Sequence, residues 1–135
     1  MVGKPIDVAA GLVFHQKKLL ITRRPVGVHL AGLWEFPGGK REPSETFEEC
    51  LSRELHEELG IDVAIGQLFD EITHDYPERT VRLRFFLCRL ANGQPRAIGC
   101  AAFEWVTRDG LVEHKFPPAD ERLLRHLVDT GPLWR

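Results

Sequence analysis

The stretch RELHEELG, residues 53–60, constrains the fold more than any other segment because it belongs to a strongly patterned helix. Apolar residues recur there at every fourth position, as Phe47, Leu51, Leu55 and Leu59. This spacing is typical of the buried seam of an amphipathic helix. Thr46, with Glu49 three positions later, forms a capping box, and Gly60 favours the left-handed conformation that ends helices. The pattern predicts a helix over residues 47–59.

Three glutamates, Glu54, Glu57 and Glu58, lie on one flank of this helix, beside the apolar seam. Like charges three or four positions apart on a helix destabilise it by roughly 0.2–0.5 kcal/mol per pair. Arg53 points about 100° away from Glu54 on the helix and can neutralise only part of this charge. Clustered carboxylate oxygens are the ligands that Mg²⁺ and Mn²⁺ prefer. The acidic cluster therefore indicates either a solvated helix face or a divalent metal site.

The remaining chain predicts strands and one more helix around this element. Strands are expected at 6–14, 17–24, 33–36, 62–76, 79–90 and 101–107, where β-branched and aromatic residues lie between turn signals. The rest of 24–45 is rich in Gly and Pro and is expected to be an ordered loop. A last helix should open near Pro117 and bury Leu123, Leu124, Leu127 and Val128. The mixed order of elements predicts an α+β or α/β fold with a mixed sheet between helices.

Composition and charge exclude several classes of protein. A chain of 135 residues is the size of one domain, so 1–135 is expected to be a single unit. Its net charge of −2 argues against a nucleic-acid polymer as partner, although local arginines could still bind a small anion. No apolar run is long enough to span a membrane, and the first residues lack a signal-peptide h-region. The three cysteines have no CxxC spacing, which favours free thiols in a reducing cytoplasm. A monomer is the default expectation.

A longer pattern distinguishes the solvated face from the metal site. It comprises Gly39, five residues, Glu45, seven residues, Arg53-Glu54-Leu55, one residue, Glu57-Glu58, one residue and Gly60-Ile61. A chance match to every specified position is on the order of 10⁻⁸ for a chain of this length. The pattern is the Nudix box, and the chain resembles Nudix hydrolases of the MutT type. The similarity extends to ITRRP (21–25), His29, LWEFPGGK (33–40), DYPERTVRL (75–83) and FPPADE (116–121).

The resemblance implies the Nudix fold, a mixed sheet sandwiched between helices (α/β/α), and metal-dependent cleavage of a nucleoside diphosphate bond. Mg²⁺ is the implied cofactor, and Mn²⁺ could replace it. The implied metal ligands are the Gly38 carbonyl and the carboxylates of Glu54, Glu57 and Glu58. Glu54 or Glu57 could also act as the base. Arg53 would orient the glutamates through an ion pair, Glu45 would brace the loop, and Gly39 and Gly60 would be structural.

The MutT type hydrolyses nucleoside triphosphates to monophosphate and pyrophosphate and favours 8-oxo-dGTP, so a small nucleotide is the implied substrate. The resemblance assigns substrate contacts to Arg24 on phosphate, His29 near the nucleotide, Glu35, Phe36, Pro37 and Gly38 along the pocket, and Arg79 and Asp120 on the base, with Tyr76 beside it. Each assignment has a simpler alternative. Arg24 could be a solvated strand end, His29 a loop residue, and Asp120 a helix N-terminal acid. Tyr76 could serve the turn, and Glu35 could brace the glycine turn.

Two departures from the MutT pattern leave the substrate and the base open. Asp120 stands where that pattern has Asn, and an ionised carboxylate only accepts hydrogen bonds whereas an amide also donates. Asp120 could accept from guanine or from the amino group of cytosine. The segment 96–103 contains no acid before Glu104, although MutT-like chains commonly have one there. Two alternatives therefore stay beside 8-oxo-dGTP: the same chemistry on CTP or a modified dCTP, and a lesion-binding module without catalysis.

Overall fold

The computed structural model describes residues 4–28 and 30–135, and the described residues form one mixed sheet with helices on both faces. The strands are β1 (Ile6–His15), β2 (Lys18–Arg23), β3 (Trp34–Glu35), β4 (Gly38–Lys40), β5 (Asp62–Asp75), β6 (Thr80–Asn92) and β7 (Ala102–Val106). The helices are α1 (Phe47–Leu59), α2 (Arg108–Leu111) and α3 (Glu121–Asp129), with 3₁₀ turns at Pro118–Asp120 and Gly131–Trp134. The predicted α+β sandwich is confirmed.

Strand β1 lies at the centre of the sheet and brings the glycines of β4 into it. The strand order is β3-β2-β1-β6-β5, with β4 paired to β1 and β7 paired to β2. The β1–β6 pairing is parallel, and the other pairings are antiparallel. The first half of β1 pairs with β4, so that Ala10 lies opposite Gly38 and Ala9 opposite Gly39. The last residues of β1 pair with β2 instead. Gly38 and Gly39 are therefore held against the middle of the sheet.

Two apolar cores lie on opposite faces of the sheet because side chains alternate along each strand. On one face, Leu51, Leu55 and Leu59 of α1 are fully buried, as the seam predicted. On the other face, Leu123 and Leu127 of α3 are fully buried. The remaining two apolar residues predicted for α3, Leu124 and Val128, pack against the same core with partial exposure.

The structure differs from the sequence prediction at three short elements. Residues 38–40 were expected in a loop and instead form β4, because β1 offers unpaired backbone groups that the glycines can approach closely. The four-residue helix α2 was not predicted, since it is too short to show a period. The last helix opens as a 3₁₀ turn from Pro118, and regular α3 begins at Glu121.

The cysteines are free, as their spacing predicted, with Cys50 and Cys88 buried and Cys100 half-buried. Burial raises the pKa of the Cys88 thiol to about 12 and that of Cys50 to about 11, which keeps both thiols neutral near pH 7. Among the described residues, no helix has the length and apolar character needed to cross a membrane.

Candidate active site

The turn that precedes α1 depends on two glycines for which no other residue would fit. A β-carbon at Gly38 would lie 2.0 Å from the Ala9 carbonyl oxygen, so β4 could not approach β1. A β-carbon at Gly39 would lie 2.3 Å from the carboxyl carbon of Glu54. The absent side chains thus allow a carboxylate of α1 to lie directly against the backbone of β4.

Helix α1 presents its glutamates from a rigid element with both ends capped. Thr46 accepts a hydrogen bond from the Glu49 N–H, and the Glu49 side chain accepts from the Thr46 N–H, which confirms the predicted capping box. Gly60 ends the helix with a φ of +69°, a conformation that other residues adopt with strain. These caps and the buried leucines fix where the acidic flank lies relative to β4.

The three glutamates of this flank occupy three different environments. The Glu54 side chain is 20% exposed and accepts from Arg53 Nη1 at 2.9 Å. The Glu57 side chain is 58% exposed and only touches Arg53, at 3.4 Å. Glu58 is half-buried and accepts from the Gly38 N–H at 3.3 Å. The Glu57 carboxylate therefore stays in contact with solvent, because it lies farthest from the apolar seam.

Glu58 is a carboxyl group whose ionised form is poorly stabilised. Burial raises its pKa to about 8, and the negative charges of Glu35 and Glu54 act in the same direction. The Gly38 N–H and the Arg24 charge oppose this rise only in part. A buried carboxyl with its pKa raised this far lacks a compensating positive charge.

Arg53 and Glu45 form the strongest ion pair of the site. Arg53 donates to Glu45 through Nη2 at 2.6 Å and Nε at 3.1 Å. Hydrogen bonds from Arg53 and from the Glu42 N–H lower the Glu45 pKa to about 2, and the pairing raises the pKa of Arg53. Arg53 also reaches both Glu54 and Glu57, so it contacts more of the acidic flank than the helical angle alone suggested. The length of the Arg53 side chain lets its guanidinium contact both residues.

The glutamates do not converge on one point in this structure. Among residues 4–28 and 30–135, no group of three His, Cys, Asp or Glu side chains is placed to hold a metal ion. The physical reason is that the like-charged carboxylates separate and each turns to its nearest donor, Arg53 or the Gly38 N–H.

The donor set nevertheless fits a hard divalent cation. It offers carboxylate oxygens from three side chains within one helical turn, beside a glycine backbone. The positive charge of Arg24 offsets the desolvation of the Glu58 carboxyl group only in part. Residues Glu54, Glu57 and Glu58, with the Gly38 carbonyl, are the groups that could hold the ion.

The pocket residues predicted from β3 lie next to this flank. Arg24 Nη1 donates to Glu35 at 2.8 Å, and both side chains are about 30% exposed. Arg24 is therefore not a solvated strand end, and Glu35 pairs with this arginine. Phe36 is buried and stacks on Phe116 with ring centres 5.2 Å apart, while Pro37 is buried and its carbonyl accepts from the Gly11 N–H.

Asp120 lies at the start of α3 but does not cap the helix through a hydrogen bond. Burial raises its pKa to about 6, and the charge of Glu35 contributes to the rise. This position at the N-terminus of α3 is the one that the helix N-terminal alternative requires, since a carboxylate there meets the positive end of the helix dipole without a capping bond. The negative charge of Glu35 therefore acts both on the start of α3 and on the acidic flank of α1.

The structure gives less support to three other residues that were predicted to contact the nucleotide. His29 lies outside the described residues. Arg79 is exposed in the turn between β5 and β6, and its side chain makes no hydrogen bond to any described part of the chain. Tyr76 donates its backbone N–H to the Arg79 carbonyl and lies against the ring of His74, which is turn geometry. The structure does not bring Arg79 into contact with Asp120.

The backbone of the segment ahead of β7 contacts α1. In the sequence, this segment was notable only because it lacks an acid. Ile98 and Gly99 donate their N–H groups to the Glu58 carbonyl, and Arg96 donates to that of Leu59. These bonds satisfy carbonyls that the end of a helix leaves unpaired. A β-carbon at Gly99 would lie 2.9 Å from Glu58 Cγ. This glycine is therefore the sequence feature that could have indicated the contact with α1. Glu104 pairs instead with His114, away from α1.

A separate cavity of about 750 Å³ lies at the other end of β1, between the β1–β2 turn, the start of β5 and the C-terminal 3₁₀ turn. Its described lining includes Lys17, Arg89 and Arg135 but no carboxylate side chain. It offers no acidic ligands for a divalent cation, and the glutamate flank stays the candidate site.

Comparisons with known proteins find a family pattern and similar chains over most of the sequence. The NUDIX domain pattern matches residues 9–126. The chain is 36% identical over 125 residues to an 8-oxo-dGTP diphosphatase of Escherichia coli K12, covering 92% of this chain and 97% of that protein. It is 34% identical over 121 residues to a CTP pyrophosphohydrolase of the same organism, covering 90% of each. The solution structure of the E. coli ORF135 protein superposes with a TM-score of 0.81 at 32% identity, covering 95% of this chain and 91% of that one.

Proposed function

The chain belongs to the NUDIX domain family and is a Nudix hydrolase, and from that premise we propose that it cleaves a nucleoside triphosphate to monophosphate and pyrophosphate, with 8-oxo-dGTP as the preferred substrate. The observation that carries the proposal is the acidic flank of α1 against β4, where the Glu54 carboxylate lies against Gly39 and Glu58 accepts from the Gly38 N–H. The charge of Glu35 acts on both Glu58 and Asp120, which supports assigning the phosphates to this flank and the base to Asp120.

In this proposal, Glu54, Glu57, Glu58 and the Gly38 carbonyl hold Mg²⁺, for which Mn²⁺ can substitute. When bound, the cation supplies positive charge that offsets the charge of the phosphates. Nudix hydrolases generally use divalent metals. Glu57 is the exposed member of the flank and can turn toward substrate, whereas Glu54 is held against Gly39. Either Glu54 or Glu57 accepts the proton of the attacking water.

The remaining side chains position the nucleotide. The charge of Arg24 acts on Glu58, and we assign Arg24 to the phosphates, where it can leave or share its pairing with Glu35. Phe36 and Pro37 form an apolar wall against the base. Arg79 and His29 are assigned to the nucleotide on the family pattern alone.

Asp120 is assigned to the Watson–Crick edge of the base. With a pKa of about 6, its carboxylate is mostly ionised near pH 7 and accepts hydrogen bonds. Guanine presents N1–H and an amino group side by side, which a carboxylate can accept together. The same group can accept from the amino group of cytosine.

The second candidate is therefore a cytosine nucleotide, CTP or a modified dCTP. It is favoured by the acceptor-only chemistry of Asp120 and by the similarity to a protein named CTP pyrophosphohydrolase. A lesion-binding module without catalysis is not proposed, because the chain keeps the three glutamates and its relatives are named as hydrolases.

The test is steady-state hydrolysis of 8-oxo-dGTP, dGTP, dCTP and CTP in Mg²⁺, with the products identified. The proposal expects monophosphate and pyrophosphate, and a kcat/KM for 8-oxo-dGTP over dGTP of at least ~10³, which is about 4 kcal/mol. A preference for CTP or dCTP would select the second candidate. Hydrolysis that persists in EDTA would contradict the divalent-metal chemistry.

We further propose that residues 1–135 act as one unit, as a monomer in the cytoplasm, on free nucleotides. The support is the extent of the family match, which covers residues 9–126, and the net charge of −2. Sedimentation of the purified chain would test the monomer.

A further inference from the structure

A buried carboxylate far from the acidic flank begins a chain of hydrogen bonds that ends at it. Asp7, in β1, is 8% exposed and accepts from Arg82 Nε at 2.8 Å and from Arg41 Nη2 at 3.0 Å. Arg82 is its direct neighbour in the parallel β1–β6 pairing. Burying a carboxylate is costly unless it is paired, and the two arginines satisfy both of its oxygens.

Arg41 connects this carboxylate to the segment that leads into α1. Its Nη1 donates to the Glu45 carbonyl at 2.8 Å, while its backbone N–H donates to the Asp7 carbonyl at 2.8 Å. Its guanidinium also lies over the ring of Phe47, the first residue of α1, at 5.3 Å. Arg41 thus joins the start of the sheet to the residues that precede the helix.

The side chain of Glu45 continues the chain of contacts into the acidic flank. It pairs with Arg53 at 2.6 Å, and Arg53 Nη1 donates to Glu54 at 2.9 Å. Every step from Asp7 to Glu54 is therefore a hydrogen bond of 3.0 Å or less, apart from the covalent step within Glu45.

We propose that Asp7, Arg41 and Arg82 are positioning residues for the metal site, acting through Glu45 and Arg53 on Glu54. The proposal rests on the assignment of Glu54 as a metal ligand under the proposed function. Asp7 and Arg82 lie outside the 39–61 pattern, and Arg41 occupies one of its unspecified positions. The network holds the Glu45 backbone in place, so the Arg53 guanidinium is presented to Glu54 in one orientation.

The network should set metal affinity because partners of ligands fix the ligands' direction, and losing one typically weakens binding about 10- to 100-fold. Asp7→Asn keeps the shape of the side chain but removes its charge. Arg41→Lys keeps the charge but cannot bridge Asp7 and the Glu45 carbonyl together. Glu71→Gln is the matched control, since it removes a carboxylate paired with Arg84 at 2.9 Å across β5 and β6 that makes no hydrogen bond within the network and acts on Arg82 only through its charge.

The experiment titrates each metal-free protein with Mn²⁺ and follows free Mn²⁺ by electron paramagnetic resonance, without nucleotide. Asp7→Asn and Arg41→Lys should each raise the Mn²⁺ Kd about tenfold, the double variant little more, and Glu71→Gln not at all. Unchanged affinity in both network variants, with circular dichroism showing folded protein, overturns the proposal. If Asp7→Asn does not fold, Arg41→Lys decides the outcome.

A second readout separates this proposal from the proposed function. The Arg53 Nε–H signal in ¹H–¹⁵N spectra of the metal-free protein should shift and exchange faster with water in both network variants, and stay unchanged in Glu71→Gln. An unmoved Arg53 signal contradicts the proposal even if catalysis is lost. A wild-type protein that binds Mn²⁺ but hydrolyses no nucleotide contradicts the proposed function and leaves the positioning role standing.

Discussion

At the scale of single residues, three glutamates of one helical turn differ because of what surrounds them. Glu54 lies against Gly39 and accepts from Arg53, Glu58 is half-buried beside the Gly38 N–H, and Glu57 extends into solvent. Like residues at neighbouring positions can therefore have different tasks. The exposed Glu57 side chain contributes little to the stability of the fold, whereas Glu54 and Glu58 are also part of the packing around β4.

Glu57→Gln should reduce kcat at least about 100-fold in Mg²⁺ while changing the free energy of unfolding by less than about 0.5 kcal/mol. The reason is that the side chain is 58% exposed and makes only a long contact with Arg53. Pyrophosphate release and urea denaturation measure the two quantities. Glu48→Gln, an exposed glutamate of the first turn, is the control and should retain activity. Unchanged turnover in Glu57→Gln would remove Glu57 from the metal site.

Asp120→Asn should alter base preference more than phosphate chemistry. The wild-type ratio of kcat/KM for 8-oxo-dGTP over dCTP should change by about tenfold between pH 5 and pH 7.5, as Asp120 ionises with its pKa of about 6. Asn does not titrate, so the variant's ratio should be independent of pH. Glu121→Gln, one position along and exposed, should behave as wild type. An equal loss on every nucleotide would place Asp120 in the scaffold.

At the scale of elements, α1 is a helix whose two ends are fixed by different parts of the chain. Its N-terminus is capped locally by Thr46 and Glu49. Its C-terminal carbonyls instead accept from Arg96, Ile98 and Gly99, which lie about 40 positions away in the sequence, beyond β5 and β6. The glutamates thus lie on an element clamped at both ends, which limits their motion to their side chains.

Thr46→Ala should lower the free energy of unfolding by about 1 kcal/mol, because it removes one half of the capping box and exposes an unpaired N–H. Activity at 25 °C should change little, since the Leu51, Leu55 and Leu59 seam still holds the helix on the sheet. Urea denaturation and steady-state kinetics measure both effects. Thr46→Ser, which retains the hydroxyl, should keep most of the stability, and an equal loss in both variants would contradict the capping role.

At the scale of the molecule, the sheet lies between the two elements that carry the proposed site residues, α1 on one face and α3 on the other. Helix α1 packs on one face through its leucines and α3 on the other through Leu123 and Leu127. Between them lie Glu35, which is in the edge strand β3, and Arg24, which directly follows β2. Under the proposed function, one nucleotide binds at this rim of the sheet and contacts residues from both faces.

The ion pairs of Asp7 should make stability depend on pH across the whole fold. Burial raises the Asp7 pKa, but the hydrogen bonds and charges of Arg82 and Arg41 outweigh this and hold it below its usual range. A carboxyl with a lowered folded-state pKa stabilises the protein above its unfolded pKa of about 3.9, and this contribution is lost as the pH falls through the folded value. Asp7→Asn should therefore be less stable than wild type by about 1–3 kcal/mol at pH 7.

Urea denaturation of the metal-free proteins between pH 3 and pH 7 measures this difference. It should be constant above about pH 5 and shrink below about pH 4, because protonation makes the wild-type Asp7 resemble asparagine. Glu71→Gln, which removes an exposed pair, should differ from wild type by less than about 1 kcal/mol throughout. A difference between Asp7→Asn and wild type that does not vary with pH would contradict the ion-pair account.

The sequence by itself determined the elements and the chemistry that depend on near neighbours. The α1 boundaries, its caps, its leucine seam and the grouping of Glu54, Glu57 and Glu58 follow from helical geometry and from residues at most a few positions apart. The family pattern then assigned hydrolysis to that helix, and the strands of the sheet other than β4 were predicted to within a few residues.

Only the tertiary structure decided the surroundings of those residues. Asp7 meets Arg41 and Arg82, 34 and 75 positions away, and the backbone of 96–99 meets the end of α1. Burial of Glu58 and Asp120, exposure of Glu57 and the pairing of Arg24 with Glu35 likewise arise from strands brought together by the sheet. The physical reason is that helix periodicity is local, whereas desolvation and ion pairing depend on which distant segments fold against each other.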